Sequence, residues 1–451
     1  MNRITIAIVI TSALITGCTT VSTEKPNVVL ILADDLGYNQ VGCYGTNYYK
    51  TPNIDKLAAD GIRFTDAYAA CLVCSPTRAS IMTGKYPGRL HLTDFIPGNT
   101  LKNPLKEPDW QKFLPLAEMT IGELAKEAGY ATAAFGKWHL SIEKKAPASL
   151  PYNPDKQGFD ESFVTFKPGV DKTRRWQNAE SDAHNVDTIT TLAMDFIERK
   201  KGEPFLLYIA HNTIHDPLAE KEKTIAKYIP GSEKPENNAI IGAMIERLDQ
   251  SVKKIIDKID EAGISDNTIV LFFSDNGGLA KYAKQTPLRA GKGFIYEGGI
   301  REPLIVKWPA KIKAETTSKA LISSVDFFPT FAEIMGLDTK AINIDGKSFL
   351  NNLLGQSDQN HDAIFWHYPH YHSTGMTPSS AVRMGDYKLI KWYEKNLLHG
   401  HPGLEMFNLK EDIGETKNIA EEYPEKTNEL EKLLEKWLDD TNAQRPTIWK
   451  N

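Results

Sequence analysis

Cys74-Ser75-Pro76-Thr77-Arg78 sets a sulfur nucleophile, a proline and a permanent cation at alternate positions. Pro76 fits the first turn of a helix, where a missing N–H costs nothing. Cys74 then stands at the helix N-terminus, where free N–H groups and the positive dipole end favour an anion. Arg78 lies one turn on, on roughly the same face. Elsewhere, Asp34-Asp35 and Asp275-Asn276 gather side-chain oxygens. Such a set suits a hard cation such as Ca²⁺ or Mg²⁺, not zinc, and adjacent carboxylates are costly without a cation between them. Lys137 and His139 share one side of an extended segment, and His215 and Lys292 add an imidazole and a second ammonium. Together these types describe a candidate nucleophile, a cation site and positive groups that could hold an anion.

The elements that must bring them together are short apolar runs alternating with amphipathic helices, the pattern of a buried parallel sheet. Runs at Val28 to Ala33, Ala131 to Phe135, Phe205 to Ala210 and Thr268 to Phe273 each end in acidic, basic or imidazole residues. Open α/β sheets place their sites at these carboxyl ends. Helices are predicted at Ile121 to Ala128 and over Ile245, Leu248, Val252, Ile255, Ile256 and Ile259, which recur at helical spacing. The segment Arg289 to Pro303 is glycine-rich, and its backbone could pass close to a ligand or form a surface loop. From about residue 361 the pattern changes to short strands at Ala363 to His367, Ser380 to Met384, Tyr387 to Trp392 and Leu404 to Leu409. A last helix spans Glu425 to Asp439. The prediction is a large α/β sandwich with a mostly parallel central sheet (26–360) and a small C-terminal α+β subdomain with an antiparallel sheet (361–451).

The 451 residues carry a net charge of -5, with 41% hydrophobic and 25% charged residues. This supports a sizeable core and gives no sign of the basic patch that nucleic-acid binding needs. Arg3 precedes the apolar run Ile4 to Ile15. That run is short of the roughly 20 residues that span a bilayer and suits a signal peptide over 1–17. Ile15-Thr16-Gly17-Cys18 resembles a bacterial lipobox. It implies a lipidated Cys18 with a polar tether to residue 25, and a periplasmic or cell-surface protein anchored in the outer membrane. Cys43 and Cys71 are left as either a disulfide or two buried thiols.

The five segments, in this order, resemble the formylglycine-dependent type I sulfatases of the alkaline-phosphatase-like superfamily, particularly bacterial carbohydrate sulfatases. The motifs are Pro26-Asn27-Val28 leading to Asp34-Asp35, Cys74-x-Pro76-x-Arg78, Gly136-Lys137-Trp138-His139, Ser274-Asp275-Asn276-Gly277 and Gly291-Lys292-Gly293. The resemblance implies that Cys74 is oxidised to formylglycine by a formylglycine-generating or radical maturation enzyme. It implies that Asp34, Asp35, Asp275 and Asn276, with the modified Cys74, hold Ca²⁺ in preference to Mg²⁺. Arg78 would steady the formylglycine hydrate, while Lys137, His139, His215 and Lys292 surround the sulfuryl group. One hydroxyl of the hydrate would attack sulfur, with His215, alone or together with Lys292, as the candidate general acid, and His139 would then take a proton from the second hydroxyl. Gly299 to Pro303 is expected as the strand after the lysine loop.

The expected substrate is a sulfated oligosaccharide or polysaccharide, with exo action on a galactose- or N-acetylgalactosamine-type sulfate. Candidate sugar contacts are His91 and Asp94, Arg174 and Arg175, and His367, His370 and His372 from an aromatic and imidazole cluster. A phosphodiesterase or phosphonate hydrolase on the same superfold is the alternative, because fold alone does not fix function. A glycan-binding surface lipoprotein is a third class. It would be expected to lose some of Cys74, Arg78, Lys137, His139 or Asp275, and all are present.

Overall fold

A computed structural model describes residues 25–99, 103–141, 151–165, 176–178, 182–228 and 237–449. The N-terminal residues read as a signal peptide and lipidated Cys18 lie outside these, as do Arg174 and Arg175.

Eight strands form the central sheet, in the order 316–318, 62–64, 304–307, 268–274, 27–33, 205–210, 131–136 and 161–164. Strands 268–274, 27–33, 205–210, 131–136 and 161–164 pair in parallel, and 304–307 runs antiparallel to both its neighbours. Asn27–Ala33 is buried at every residue, as an unbroken Val/Leu/Ile run requires when both faces are covered. Its alternate residues face opposite layers. Val28, Leu30 and Leu32 join one core with Leu206, Tyr208, Leu271 and Phe273. Val29, Ile31 and Ala33 join the other with Leu207, Ile209 and Phe272.

Helices Cys74–Thr83 and Ile121–Glu127 cover the first face. Thr120 caps the second of these through a reciprocal box with Glu123. Helix Asn237–Glu261 covers the other face with Ile245, Leu248, Val252, Ile255 and Ile259, while Ile256 sits at the margin of that core.

The C-terminal sheet is antiparallel, in the order 363–368, 379–384, 387–392 and 404–408. One of its faces packs Val382, Leu389 and Met406 against Leu430, Leu434, Trp437 and Leu438, the last four on helix Pro424–Asp440. The opposite face sets Trp366, Tyr368 and Ile390 against Tyr68, Leu72, Val73, Ile295 and Ile300. The subdomain therefore leans on both the segment leading into Cys74 and the segment following Lys292. Cys43, Cys71 and Cys74 are free thiols.

Candidate active site

The four predicted strand ends meet because their strands are neighbours in one parallel register. Ala33 pairs with Ser274, Leu32 with Ala210, and Ala210 with Gly136. Backbone bonds carry the alignment past the strands, with Asp275 N donating to Ala33 O at 3.2 Å and Lys137 N to Ala210 O at 2.8 Å. Asp35, with φ of +65°, turns the chain so that consecutive carboxylates face one spot.

Helix Cys74–Thr83 starts at this point with no side-chain cap, and all ten of its residues are buried. Ligand atoms of Asp34, Asp35, Cys74 and His215 lie within 4.8 Å of one another. Lys137 Nζ donates to both oxygens of Asp34 at 2.8 Å. Lys292 Nζ is 2.8 Å from Asp35 Oδ2 and 3.6 Å from Cys74 Sγ. Arg78 lies beneath them, its Nε donating to Asp275 Oδ2 at 2.8 Å and its Nη1 to Lys137 O at 2.7 Å. Arg78 engages Asp275 through Oδ2, while Asp275 Oδ1 lies 3.3 Å from Asp35 N at the edge of the group formed by Asp34, Asp35, Cys74 and His215. Asn276 Nδ2 donates to Asp35 Oδ1 at 2.8 Å, which leaves its buried Oδ1 without a partner.

The electrostatics follow from burial set against these pairs. Burial alone would raise Asp34, but Lys137 and then His215 hold it at about 2. Asp35 is lowered in the same way, chiefly by Lys292 against burial. Burial pushes Asp275 up to about 6 although Arg78 opposes it, and Asp34 adds repulsion. The Cys74 thiol is pushed up to about 11 by burial, with Lys137 and Lys292 pulling the other way. His139 is driven well below the usual imidazole range by burial and then by Lys137. Its Nε2 donates to Ile96 O at 2.6 Å. His215 donates through Nδ1 to Asp216 O at 2.6 Å, which turns Nε2 toward Asp35 at 3.7 Å.

Two local expectations are corrected. His139 has φ of +59°, so the segment after Lys137 is not the extended one expected. Glu297–Ile300 is a one-turn helix, and the strand begins only at Leu304. The glycine-rich segment is not a surface loop: Gly277 N donates to Gly299 O, and a Cβ on Gly277 would meet Gly298 O at 2.0 Å. This close stacking seats Lys292 beside Cys74.

A cavity of about 780 Å³ opens above Cys74, His139, His215 and Lys292. Of the nominated sugar contacts, His372 lines it. His91, Asp94, His367 and His370 do not: His91, Asp94 and His370 are taken up by the packing of the subdomain against the catalytic domain, and His367 by bonds within the subdomain. His91 Nε2 bonds Asn442 O, and Asp94 accepts from Tyr368 OH at 2.8 Å. His367 is held by Ser380 and Gln444 O, and His370 by Thr93 and Glu107. The walls that sequence reasoning missed are Phe95, Asp216, Leu279 to Tyr282, Phe294, Ser373 and Thr374. Their one sequence signal is adjacency: Asp216 follows His215, and Phe294 lies two residues beyond Lys292.

The fold and site together define a hydrolase that grips an anionic ester at the carboxyl ends of a parallel sheet. Residues 26–337 match the sulfatase family model, and residues 290–444 match the C-terminal region of N-sulphoglucosamine sulphohydrolase. The chain belongs to the sulfatase family and is a sulfuric ester hydrolase. It is 29% identical to an N-acetylgalactosamine-6-O-sulfatase of Bacteroides thetaiotaomicron, over 94% of this chain and 96% of that one. It is 32% identical to the N-acetylgalactosamine-6-sulfatase of Rattus norvegicus, over 82% and 72% respectively. The solved structure of Ps i-CgsB in complex with k-i-k-neocarrahexaose superposes with a TM-score of 0.77 at 28% identity, covering 95% of each chain.

Proposed function

We propose that the protein removes sulfate from a sulfated glycan, with Cys74 matured to formylglycine and Ca²⁺ as the resident metal, and that its sugar is of the galactose or N-acetylgalactosamine type. The observation that carries this is the placement of Cys74 at a buried helix start, flanked by Lys292 and by the Asp34 and Asp35 carboxylates, on the floor of a cavity large enough for a sugar. An unmodified thiol pushed up to about 11 is a weak nucleophile at neutral pH, which suits a precursor better than a working group.

The donor set fits a hard cation: Asp34, Asp35 and the orphaned Asn276 Oδ1 are oxygen ligands, and the residue at position 74 adjoins them. Asp275, its Oδ2 engaged by Arg78, is proposed to join that set through Oδ1. Bound there, Ca²⁺ would neutralise charge on the sulfuryl oxygens. Lys137 and Lys292 do the same from the protein side in a site already organised by their carboxylate partners. His215, oriented by its bond to Asp216 O, is the group proposed to protonate the departing sugar oxygen. His139, its Nε2 proton committed to Ile96 O and its ring held neutral by burial, is the proposed base for the return step.

The N-terminal lipobox supports export and lipid anchoring through Cys18. Release of a Cys18→Ala variant from the membrane fraction would test it. The function itself is tested with protein co-expressed with a formylglycine-generating enzyme, after mass spectrometry of the Cys74 peptide. A panel of defined sulfated oligosaccharides is read out as released sulfate. Turnover of a galactose-type sulfate is the expected result; turnover of phosphodiesters with none of the sulfates would overturn it.

A further inference from the structure

An acid in the wall of an anion-binding cavity works against the charge of the ester it must admit. Asp216 is such an acid. It lines the same cavity as Cys74, His215 and Lys292, and it is half-buried. Two lysines, Lys281 and Lys292, share that lining, yet among the described residues Asp216 makes no ion pair with either. Its one side-chain hydrogen bond among the described residues comes from an uncharged donor: Tyr282 OH donates to Oδ1 at 3.1 Å. Its backbone carbonyl meanwhile accepts from His215 Nδ1, so the residue is fixed at both ends.

A carboxylate accepts hydrogen bonds through both oxygens and donates none when ionised. With Oδ1 braced by Tyr282, Oδ2 is the acceptor left for a bound molecule. The groups on a sulfated sugar that can satisfy it are free hydroxyls. The remaining wall agrees, since Phe95, Phe294, Leu279 and the Tyr282 ring present apolar surface suited to the C–H faces of a pyranose.

Resting on the sulfatase reading above, we propose that Asp216, braced by Tyr282, is the specificity-determining acceptor for the free ring hydroxyl nearest the scissile ester, the 4-hydroxyl of a galactose 6-sulfate. The substrate class is then a sugar whose neighbouring hydroxyl is unsulfated. A second sulfate there would both remove the donor and place like charges together, so a unit sulfated at both positions is rejected. The residue binds through the sugar and takes no part in breaking the S–O bond.

The test compares galactose 6-sulfate with its 4-deoxy analogue, and both with 4-nitrophenyl sulfate, which has no sugar hydroxyl. For the matured enzyme, kcat/KM for the hydroxylated sugar should exceed that for the deoxy sugar by about tenfold to a hundredfold, the range for a hydrogen bond to a charged acceptor. In Asp216→Ala that ratio should fall to about one. Tyr282→Phe should lower it part of the way, which guards against a poorly folded Asp216 variant. Binding of galactose 6-sulfate to Cys74→Ala, measured by calorimetry, should weaken by a similar factor when Asp216→Ala is added. Hydrolysis of 4-nitrophenyl sulfate with no preference between the two sugars would overturn the Asp216 proposal and leave the sulfatase reading standing. No turnover of any sulfate ester by matured protein would instead overturn the reading on which it rests.

Discussion

Lys292 Nζ stands 3.6 Å from Cys74 Sγ and 2.8 Å from Asp35 Oδ2, so one cation ties the nucleophile position to the proposed metal-binding acids. Replacing it should separate charge stabilisation from folding. Lys292→Ala should lower kcat by about a hundredfold to a thousandfold, the scale of losing one preorganised charge donor. Cys74→Ala should abolish turnover outright, since no nucleophile is left to modify. Released-sulfate assays check both, with a circular dichroism melt confirming that the fold is kept. Substantial residual activity in Cys74→Ala would sink the formylglycine mechanism.

Arg78 and Asp275 form a fully buried pair that also fastens Lys137 O. Arg78→Met removes one partner and leaves Asp275 charged or protonated in a dry interior. The expected cost is about 3–5 kcal/mol of stability, read as a drop in urea midpoint, together with loss of activity. Adding Asp275→Asn should restore part of the stability without restoring turnover. A single variant as stable as wild type would show that the pair contributes nothing net.

Chelation should weaken the enzyme without unfolding it. Lys137 and Lys292 already neutralise Asp34 and Asp35, so the acid pair does not depend on a metal to stay folded. A ligand that binds only the folded state at about a hundred times its Kd adds roughly 2.7 kcal/mol. Removal with a chelator should therefore lower the melting temperature by a few degrees and abolish activity, and Ca²⁺ should restore both more fully than Mg²⁺. Equal stability in chelator and in calcium, measured by thermal scan, would argue that the folded protein binds no calcium at this site.

The convergence of these side chains was legible in the sequence because parallel strands discharge their next residues on one edge. Asp34, Lys137, His215 and Asp275 each follow an apolar run, and neighbouring strands leave them little choice of place. The cavity wall was not legible. Phe95 and Phe294 are ordinary apolar residues, and only the packing of the C-terminal sheet shows that they face a cavity. Conversely, His367 and His370 had the residue types of sugar contacts. The sheet buries both and satisfies their nitrogens with Ser380, Gln444 O, Thr93 and Glu107. Side-chain chemistry alone does not distinguish a histidine that binds from one that is already bonded.

The same sheet ties itself to the lysine loop through a buried acid–base triad with its own pH signature. Lys388 Nζ bonds Glu297 at 3.0 Å and Glu415 at 2.8 Å, and Glu415 also accepts from Glu297 N at 2.7 Å. Burial pushes Glu415 up to about 7 although Lys388 opposes it, and Glu297 adds repulsion. Glu297 is held at about 2, since Lys388 and then Arg301 outweigh its burial. The two acids therefore act in opposite directions. A carboxyl raised from 4.5 to about 7 gives its full contribution below pH 4.5 and loses it as pH climbs through about 7. A carboxyl lowered from 4.5 to about 2 contributes fully above 4.5 and fails only on acidification. Between about pH 5 and 8, Glu415 alone of the pair makes stability fall with rising pH. Glu415→Gln keeps an acceptor for the Glu297 amide and removes the titration, so its urea midpoint should decline less than wild type across that window. Groups titrating elsewhere cancel in the difference between the two proteins. Parallel curves for wild type and variant would show that Glu415 keeps the same charge throughout.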